Sequence, residues 1–216
     1  MMNFDDVYKN VADVFGTKPE KMLATYVKRL SGLRPFLDLG AGQGRHTLFL
    51  ARHGFSVDAV DPSHVAMDAI AEQARAEELV VRTYTCGFET FVPDVDYYSG
   101  VGAFGLIQVL SREDRSLLIR KITEWTGPGS LVFLTAFTVA DPGYEQWERH
   151  CDRIGHHSFA NEEGQIRSYL EPGEIMSFFE SLEPLHHWEG FGPSHRHGDG
   201  PFERHAVAQA VFRRPA

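Results

Sequence analysis

The 216-residue chain predicts an α/β fold, a mostly parallel sheet with helices on both faces. Three observations carry this reading. Short apolar runs alternate with longer segments of helical period between Phe36 and Phe137. The first of these runs, Phe36-Leu37-Asp38-Leu39, enters the glycine-dense turn Gly40-Ala41-Gly42-Gln43-Gly44. The second ends in Asp61-Pro62-Ser63, an acid followed by a helix start.

Taken in order, Phe4, Val7, Tyr8, Val11 and Phe15 recur at helical spacing and predict a first amphipathic helix. Thr17-Lys18-Pro19-Glu20 has the form of a capping box with proline at the first helical position. The helix it opens carries Met22, Leu23, Tyr26, Val27 and Leu30 on one face, and Ser31-Gly32 ends it. A strand over 36–39 leads to a helix with Leu48, Leu50 and Ala51, closed by Gly54. Residues 55–60 form the second strand, and the helix opened at Asp61-Pro62-Ser63 runs to about Glu78. Strands over 80–85 and 97–101 follow. Ser111-Arg112-Glu113-Asp114 caps a helix that buries Leu117, Leu118, Ile122 and Trp125. Thr126-Gly127-Pro128-Gly129 then turns the chain into an apolar strand over 131–137.

The rhythm breaks over 140–168, which reads as an irregular lid, a substrate loop or a plain surface insertion. Residues 171–182 read as a helix with Ile175, Phe178 and Phe179 inward, and 185–191 with 206–212 as a closing hairpin. The expected organisation is one domain: a helical cover over 1–32, a cofactor-binding core over 33–138, the lid over 140–168, and a C-terminal helix and hairpin over 169–216.

Bulk properties narrow the function. The formal net charge of −9 argues against nucleic acid as the main partner, because phosphate binding needs a basic face. No apolar run approaches the roughly 20 residues of a membrane span, and the N-terminus lacks a signal-peptide pattern. Two cysteines, Cys86 and Cys151, make no disulfide framework. The expectation is a soluble, cytoplasmic protein without a membrane partner; oligomeric state is not legible.

Strand, glycine turn, helix, strand and acid describe half of a nucleoside-binding sheet. The glycines fall as G-x-G-x-G, and Arg45 stands where a dinucleotide fingerprint has its third glycine. With no Tyr-x-x-x-Lys pair, this counts against a NAD(P)-dependent reductase, which is the alternative enzyme reading. A non-catalytic protein that retains the cofactor pocket is the alternative of another class.

The stretch from Phe36 to about Phe137 resembles the class I S-adenosylmethionine-dependent methyltransferases. Leu37-Asp38-Leu39-Gly40-Ala41-Gly42-Gln43-Gly44 is similar to their first motif, Asp61 to the acid after their second strand, and Thr126-Gly127-Pro128-Gly129 to their usual Pro-Gly turn. The resemblance implies a Rossmann-like sheet of seven strands whose antiparallel last strand inserts between strands five and six. It also implies S-adenosyl-L-methionine as cofactor, with Asp38, Gly40, Ala41, Gly42, Gly44, Asp61, Pro62, Ser63, Cys86, Gly87, Phe88 and Gly102 around it. Asp61 is expected on the ribose hydroxyls and Asp38 either on the donor's amino end or on buried amides. The sequence departs from the family after strand three, where Cys86 takes the place of an acid on the adenine amino group; a carbonyl and Phe88 are left to hold the base.

A narrower resemblance is to the tellurite-resistance methyltransferases. Gly42-Gln43-Gly44-Arg45 is similar to their turn, Ser194-His195-Arg196-His197 matches their His-Arg pair, and Arg204 stands about one position from a further family arginine. The implied reaction is in-line methyl transfer to a small molecule. His195 would take a proton from a neutral nucleophile, and Arg196 or Arg204 would hold an oxyanion. The bland alternative is a solvated hairpin loop. Histidines 186, 187, 195, 197 and 205 crowd the C-terminal part, but no carboxylate or cysteine spacing supports a zinc site, so no metal is expected. Cys151 beside His150 reads as a structural thiol. Arg45 at a helix start opposes the dipole and calls for solvent or a carboxylate partner. Tyr8, Tyr144 and Trp147 are candidates for the substrate wall, Trp147 foremost.

Overall fold

The computed structural model describes residues 4–11, 14–194 and 202–216. His195, Arg196 and His197 lie outside the described residues. In chain order the elements are α1 (Phe4–Asn10), α2 (Lys21–Tyr26), β1 (Phe36–Leu39), α3 (Arg45–Arg52), β2 (Val57–Asp61), α4 (His64–Ala76), β3 (Val81–Thr85) and β4 (Tyr98–Phe104). There follow α5 (Arg112–Trp125), β5 (Thr126–Phe137), α6 (Tyr144–His150), β6 (Asp152–Gly155), β7 (Ser158–Ala160), β8 (Ile166–Ser168), β9 (Glu183–Phe191) and β10 (Ala206–Arg213). No described helix is long and apolar enough to cross a membrane.

The main sheet has seven strands in the order β3-β2-β1-β4-β5-β10-β9. Pairs from β3 through β5 are parallel, and β10 is antiparallel to both β5 and β9. This is the expected Rossmann-like topology, with the antiparallel strand inserted beside strand five. Order reverses between β1 and β4, which opens a crevice at their carboxyl ends.

Strands β1, β2 and β4 are buried along their whole length. Continuous apolar runs are what a parallel sheet covered on both faces requires. On one face Leu37, Leu39 and Val60 pack with Leu118, Ile122 and Trp125 of α5 and with Ile175 and Phe179. On the other, Phe36, Val57 and Phe133 meet Leu23 of α2 and Leu50 of α3, while Ala59 meets Tyr8 of α1 and Met67 and Ile70 of α4. The two glycines inside β4 are a packing need: a Cβ on Gly100 would come within 2.8 Å of the Phe36 ring.

Four expectations change. α2 begins at Lys21 with Glu20 at its N-cap and no side-chain cap, so Thr17 closes no capping box; Glu20 pairs with Arg45 instead, at 3.1 Å. The segment expected as a turn, Thr126-Gly127-Pro128-Gly129, runs within β5, where Thr126 pairs with Tyr98 and Ser130 Oγ donates to the Tyr98 carbonyl. Residues 140–168 are not irregular: they form α6 and a three-stranded antiparallel sheet, β6-β7-β8. The helix expected over 171–182 is a 3-10 helix, Glu174–Phe179, started behind Gly173 at φ 79°.

One buried charge was not foreseen. Asp58, fully buried in β2, receives Nε and Nη2 of Arg82 at 2.7 and 2.8 Å and the Tyr98 hydroxyl at 2.9 Å. Removing one partner strands a buried carboxylate, whereas the guanidinium is partly solvated. Arg82→Ala should therefore lower the unfolding free energy by about 2–3 kcal/mol and Tyr98→Phe by about 1 kcal/mol in urea titrations. Equal, near-zero effects would show that Asp58 is satisfied by water.

Candidate functional site

The carboxyl ends of three adjacent strands bring the expected segments together: 40–44 after β1, 61–63 after β2 and 86–88 after β3. Gly40, Gly42 and Gly44 all have left-handed backbone, at φ 68°, 51° and 85°. The turn closes on main-chain bonds, Gly40 and Ala41 N–H to the Val60 carbonyl and Gly44 N–H to the Ala41 carbonyl. What a side chain would meet is this chain's own: a Cβ on Gly44 would lie 2.6 Å from Ile70 Cγ1, and one on Gly42 3.1 Å from the Tyr8 hydroxyl.

Asp61 is buried at the end of β2 and its two oxygens divide the work. Oδ2 accepts from Gly42 N–H and Oδ1 from Ser63 N–H, both at 2.9 Å. The acid braces the glycine turn, and each oxygen retains a lone pair for a ligand hydroxyl. Burial raises its pKa against the pull of those two amides. The cap of α4 falls to Ser63, whose Oγ accepts from Ala66 N–H. Pro62 stands between them in the same connection.

Asp38 sits on β1 beneath the turn, fully buried. Its Oδ2 accepts the Thr47 hydroxyl at 2.7 Å, and Oδ1 has no partner among the described residues. Burial pushes the carboxyl up to about 6. A second orphan, which sequence reasoning missed, precedes Thr47 on α3. His46 stacks on Phe104 at 3.9 Å with Nε2 unpartnered, and burial holds it neutral, well below its ordinary pKa. Gly102 pairs in register with Asp38, and a Cβ there would strike the Phe104 ring.

After β3, Cys86 is half-buried with its thiol pKa raised by burial, and Phe88 is packed into the core with Phe91 and Trp125. Gly87 accepts at its carbonyl from Thr90 and Phe91 N–H, which shapes a tight turn beside the crevice.

Residues of the N-terminal segment contact this turn. Asp5 of α1 receives the Ser63 hydroxyl and His64 Nδ1, the latter at 2.7 Å. Gln43 donates to the Val11 carbonyl and accepts from Val14 N–H. Tyr8 lies buried over Gly42, and desolvation together with the Asp61 charge raises its phenol pKa. Arg45 meets Glu20 and the Phe15 carbonyl, so its partner is a carboxylate of the N-terminal cover.

A second group gathers at the carboxyl end of β5, two strands from β1. Asp141 accepts from Gly143 N–H on Oδ1 and from Ala206 N–H and His205 Nδ1 on Oδ2, the last at 2.8 Å. His205 stacks on Phe137 at 4.4 Å, and Asp141 raises its pKa. Arg167 lies half-buried over Phe137 and Trp147, at 6.0 and 5.8 Å, and makes no ion pair among the described residues. Its positive charge is disfavoured by burial. Arg204, expected at the reacting end, instead donates through Nε to the Gly192 carbonyl and lies over Phe191, clasping the base of the β9–β10 connection.

Comparison with known proteins follows the same lines. The family described as tellurite resistance protein TehB matches residues 4–194. Hemagglutinin 1 of Eikenella corrodens is 28% identical over 153 residues, 69% of this chain and 47% of that one. A probable S-adenosyl-L-methionine-dependent methyltransferase TehB of Haemophilus influenzae (strain 10810) is 25% identical over 152 residues, 69% of this chain and 49% of that one. The chain thus spans about half the length of the curated relatives it matches. Among solved structures, TehB from Haemophilus influenzae superposes with a TM-score of 0.72 at 18% identity, covering 98% of this chain and 67% of that one. The Burkholderia thailandensis 1,6-didemethyltoxoflavin-N1-methyltransferase, solved with 1,6-didemethyltoxoflavin and S-adenosylhomocysteine, gives 0.65 at 16% identity, covering 91% and 76%. At these identities the two structures share the fold.

The raised pKa of Asp38 sets a pH signature. An acid that holds its proton more tightly when folded costs no stability below its unfolded pKa of about 4, and the cost builds as pH rises to about 6. In ligand-free protein Asp38→Asn should match the parent near pH 4 and exceed its unfolding free energy by up to about 3 kcal/mol at pH 7. A difference that does not vary with pH would mean the carboxylate is solvated.

Proposed function

The chain belongs to the tellurite resistance protein TehB family, and on that premise we propose that it is an S-adenosylmethionine-dependent methyltransferase acting on a small-molecule acceptor. The observation that carries this reading is the buried, unpartnered Oδ1 of Asp38 at the foot of a glycine turn. A cationic ammonium is what such an oxygen lacks, and a phosphate would be repelled by it. The donor's amino end satisfies that need; a dinucleotide's pyrophosphate does not.

The residues fit the donor. Asp38 would take the ammonium, the 40–44 main chain the methionine part, Asp61 the ribose hydroxyls, and the Cys86-Gly87-Phe88 turn the adenine. When bound, S-adenosylmethionine supplies a methyl group already activated on a sulfonium. The chain's part is then alignment, exclusion of water and removal of a proton. α1 and Tyr8 exclude water above the turn. At the acceptor end, Phe137, Trp147 and Tyr169 give aromatic walls, and Arg167 can orient a polar or anionic group. His205, bonded through Nδ1 to Asp141 and with Nε2 3.4 Å from Glu203, completes the polar side of this rim. His195 and Arg196 keep the roles the family resemblance gives them. A small acceptor accords with the net charge of −9 and with the small molecule named for the Burkholderia thailandensis enzyme.

Calorimetric titration with S-adenosylmethionine, S-adenosylhomocysteine and NADH tests the cofactor. Micromolar binding of the first two and none of the third is expected. Asp61→Ala should weaken binding by about 1–3 kcal/mol through lost charge-assisted bonds. Because the donor's ammonium needs an ionised Asp38, affinity should fall below about pH 6, and Asp38→Asn should abolish that dependence. Binding of NADH alone would overturn the reading.

Arg167→Met separates acceptor from donor. With any methylated acceptor found by screening, turnover should fall at least about tenfold while S-adenosylhomocysteine affinity stays within about twofold. An unchanged rate would remove Arg167 from the acceptor end.

A further inference from the structure

The β6–β7 hairpin turns through only His156 and His157, since Gly155 already pairs with Ser158. Adjacent residues of an extended strand point to opposite faces. Here His157 has left-handed backbone, φ 50°, and both rings come to one side with centroids 4.0 Å apart. Both Nε2 atoms meet the same oxygen, Oε1 of Glu171, at 3.0 Å from His156 and 3.3 Å from His157. The three ligand atoms lie within 4.8 Å of one another.

The hydrogen-bond chain behind His157 restricts what can sit between these atoms. Arg153 Nη2 donates to Glu148 Oε1 at 2.7 Å, and the Tyr144 hydroxyl reaches both that oxygen, at 3.1 Å, and His157 Nδ1, at 2.7 Å. With the hydroxyl proton on Glu148, Nδ1–H donates to Tyr144 and the Nε2 lone pair faces Glu171, an arrangement that a proton or a metal ion completes.

We propose that His156, His157 and Glu171 bind a divalent transition-metal ion, zinc by preference, with Tyr144 and Glu148 orienting His157 from behind. Two ligand atoms about 2.0–2.1 Å from a tetrahedral Zn²⁺ lie about 3.3 Å apart, close to the two contacts measured here. Two imidazoles and one carboxylate suit zinc, nickel or copper, whereas magnesium and calcium prefer all-oxygen sets. The Nδ1–H to oxygen bond behind His157 is the outer-shell arrangement that fixes a metal-binding imidazole. Glu171 follows Leu170, whose N–H bonds the Phe137 carbonyl at the end of β5. The ion would therefore clasp the hairpin tip of the small sheet to the rim of the acceptor end. The inference does not depend on the cofactor assignment.

Chelator-treated full chain is titrated with zinc chloride by calorimetry near neutral pH, and with magnesium chloride as control. One saturating zinc equivalent per chain and no magnesium binding are expected. Glu171→Gln and His156→Ala/His157→Ala should abolish the zinc isotherm, and Tyr144→Phe should weaken it at least about tenfold. Circular dichroism in chelator shows whether each variant folds; should the double histidine variant fail, Glu171→Gln and Tyr144→Phe decide. No saturable zinc binding, with ¹⁵N spectra showing His157 as an imidazolium, would overturn the proposal in favour of the proton. So would zinc binding that survives Glu171→Gln unchanged.

Discussion

The candidate site depends on a buried carboxylate used as a bracket. Asp61 ends β2, yet its oxygens hold amides from two other places, Gly42 in the turn after β1 and Ser63 at the start of α4. A glycine turn has little to hold it in one shape, because the freedom that lets it adopt left-handed backbone also lets it leave. Charge-assisted bonds from an ionised acceptor supply that constraint. Burial opposes ionisation, and the two amides oppose burial, so the acid's charge and the turn's shape support each other. The strand ends are thereby locked into a fixed crevice before any ligand arrives.

Asp38 and His46 show the other side of that arrangement. Each leaves a buried polar atom unpartnered among the described residues, and native interiors rarely tolerate this without cause. In the free protein the burden is reduced by neutralisation: the carboxyl's pKa rises toward 6 and the imidazole stays uncharged. A ligand bringing an ammonium reverses the balance at Asp38 alone. Stability without ligand is thus given up at the place where a cation can recover it.

The parts legible in the sequence were those governed by local chemistry. Gly40, Gly42 and Gly44 marked the turn after the first strand, Asp61-Pro62-Ser63 and Ser111 marked helix starts, and the β9–β10 hairpin lay close to the two closing strands expected. Local signals also misled. Thr17-Lys18-Pro19-Glu20 had the form of a capping box, but an ion pair with Arg45, distant in sequence, captured Glu20. The small sheet was invisible because its strands are only three or four residues long, and because its tightest turn uses two histidines where Asn-Gly would have been read. Asp141 and Arg167 carry no spacing signal, and His205 stood out only as one of the crowded C-terminal histidines. Asp141 and His205 meet because β10 runs antiparallel beside β5, which places the start of the last strand at the end of the fifth.

On the proposed function, that strand order places the donor's crevice and the acceptor's rim at the ends of different strands. Everything that shapes the glycine crevice comes from β1 to β4 and from the N-terminal cover, tied by main-chain bonds and buried acids. Everything at the acceptor end comes from the end of β5, the small sheet and the start of β10, tied by side chains on short elements. The two regions share one core, Leu39 and Val60 packing with Ala136 and Leu170, and β4 pairs with β5 along its length. The exposed residues of β6 stand outside that core, so a change among them reshapes the rim without touching Asp61 or the turn it braces. On the proposed function, acceptor choice falls to the segment where sequence patterning is weakest, because short strands and tight turns tolerate substitution that a buried parallel strand does not.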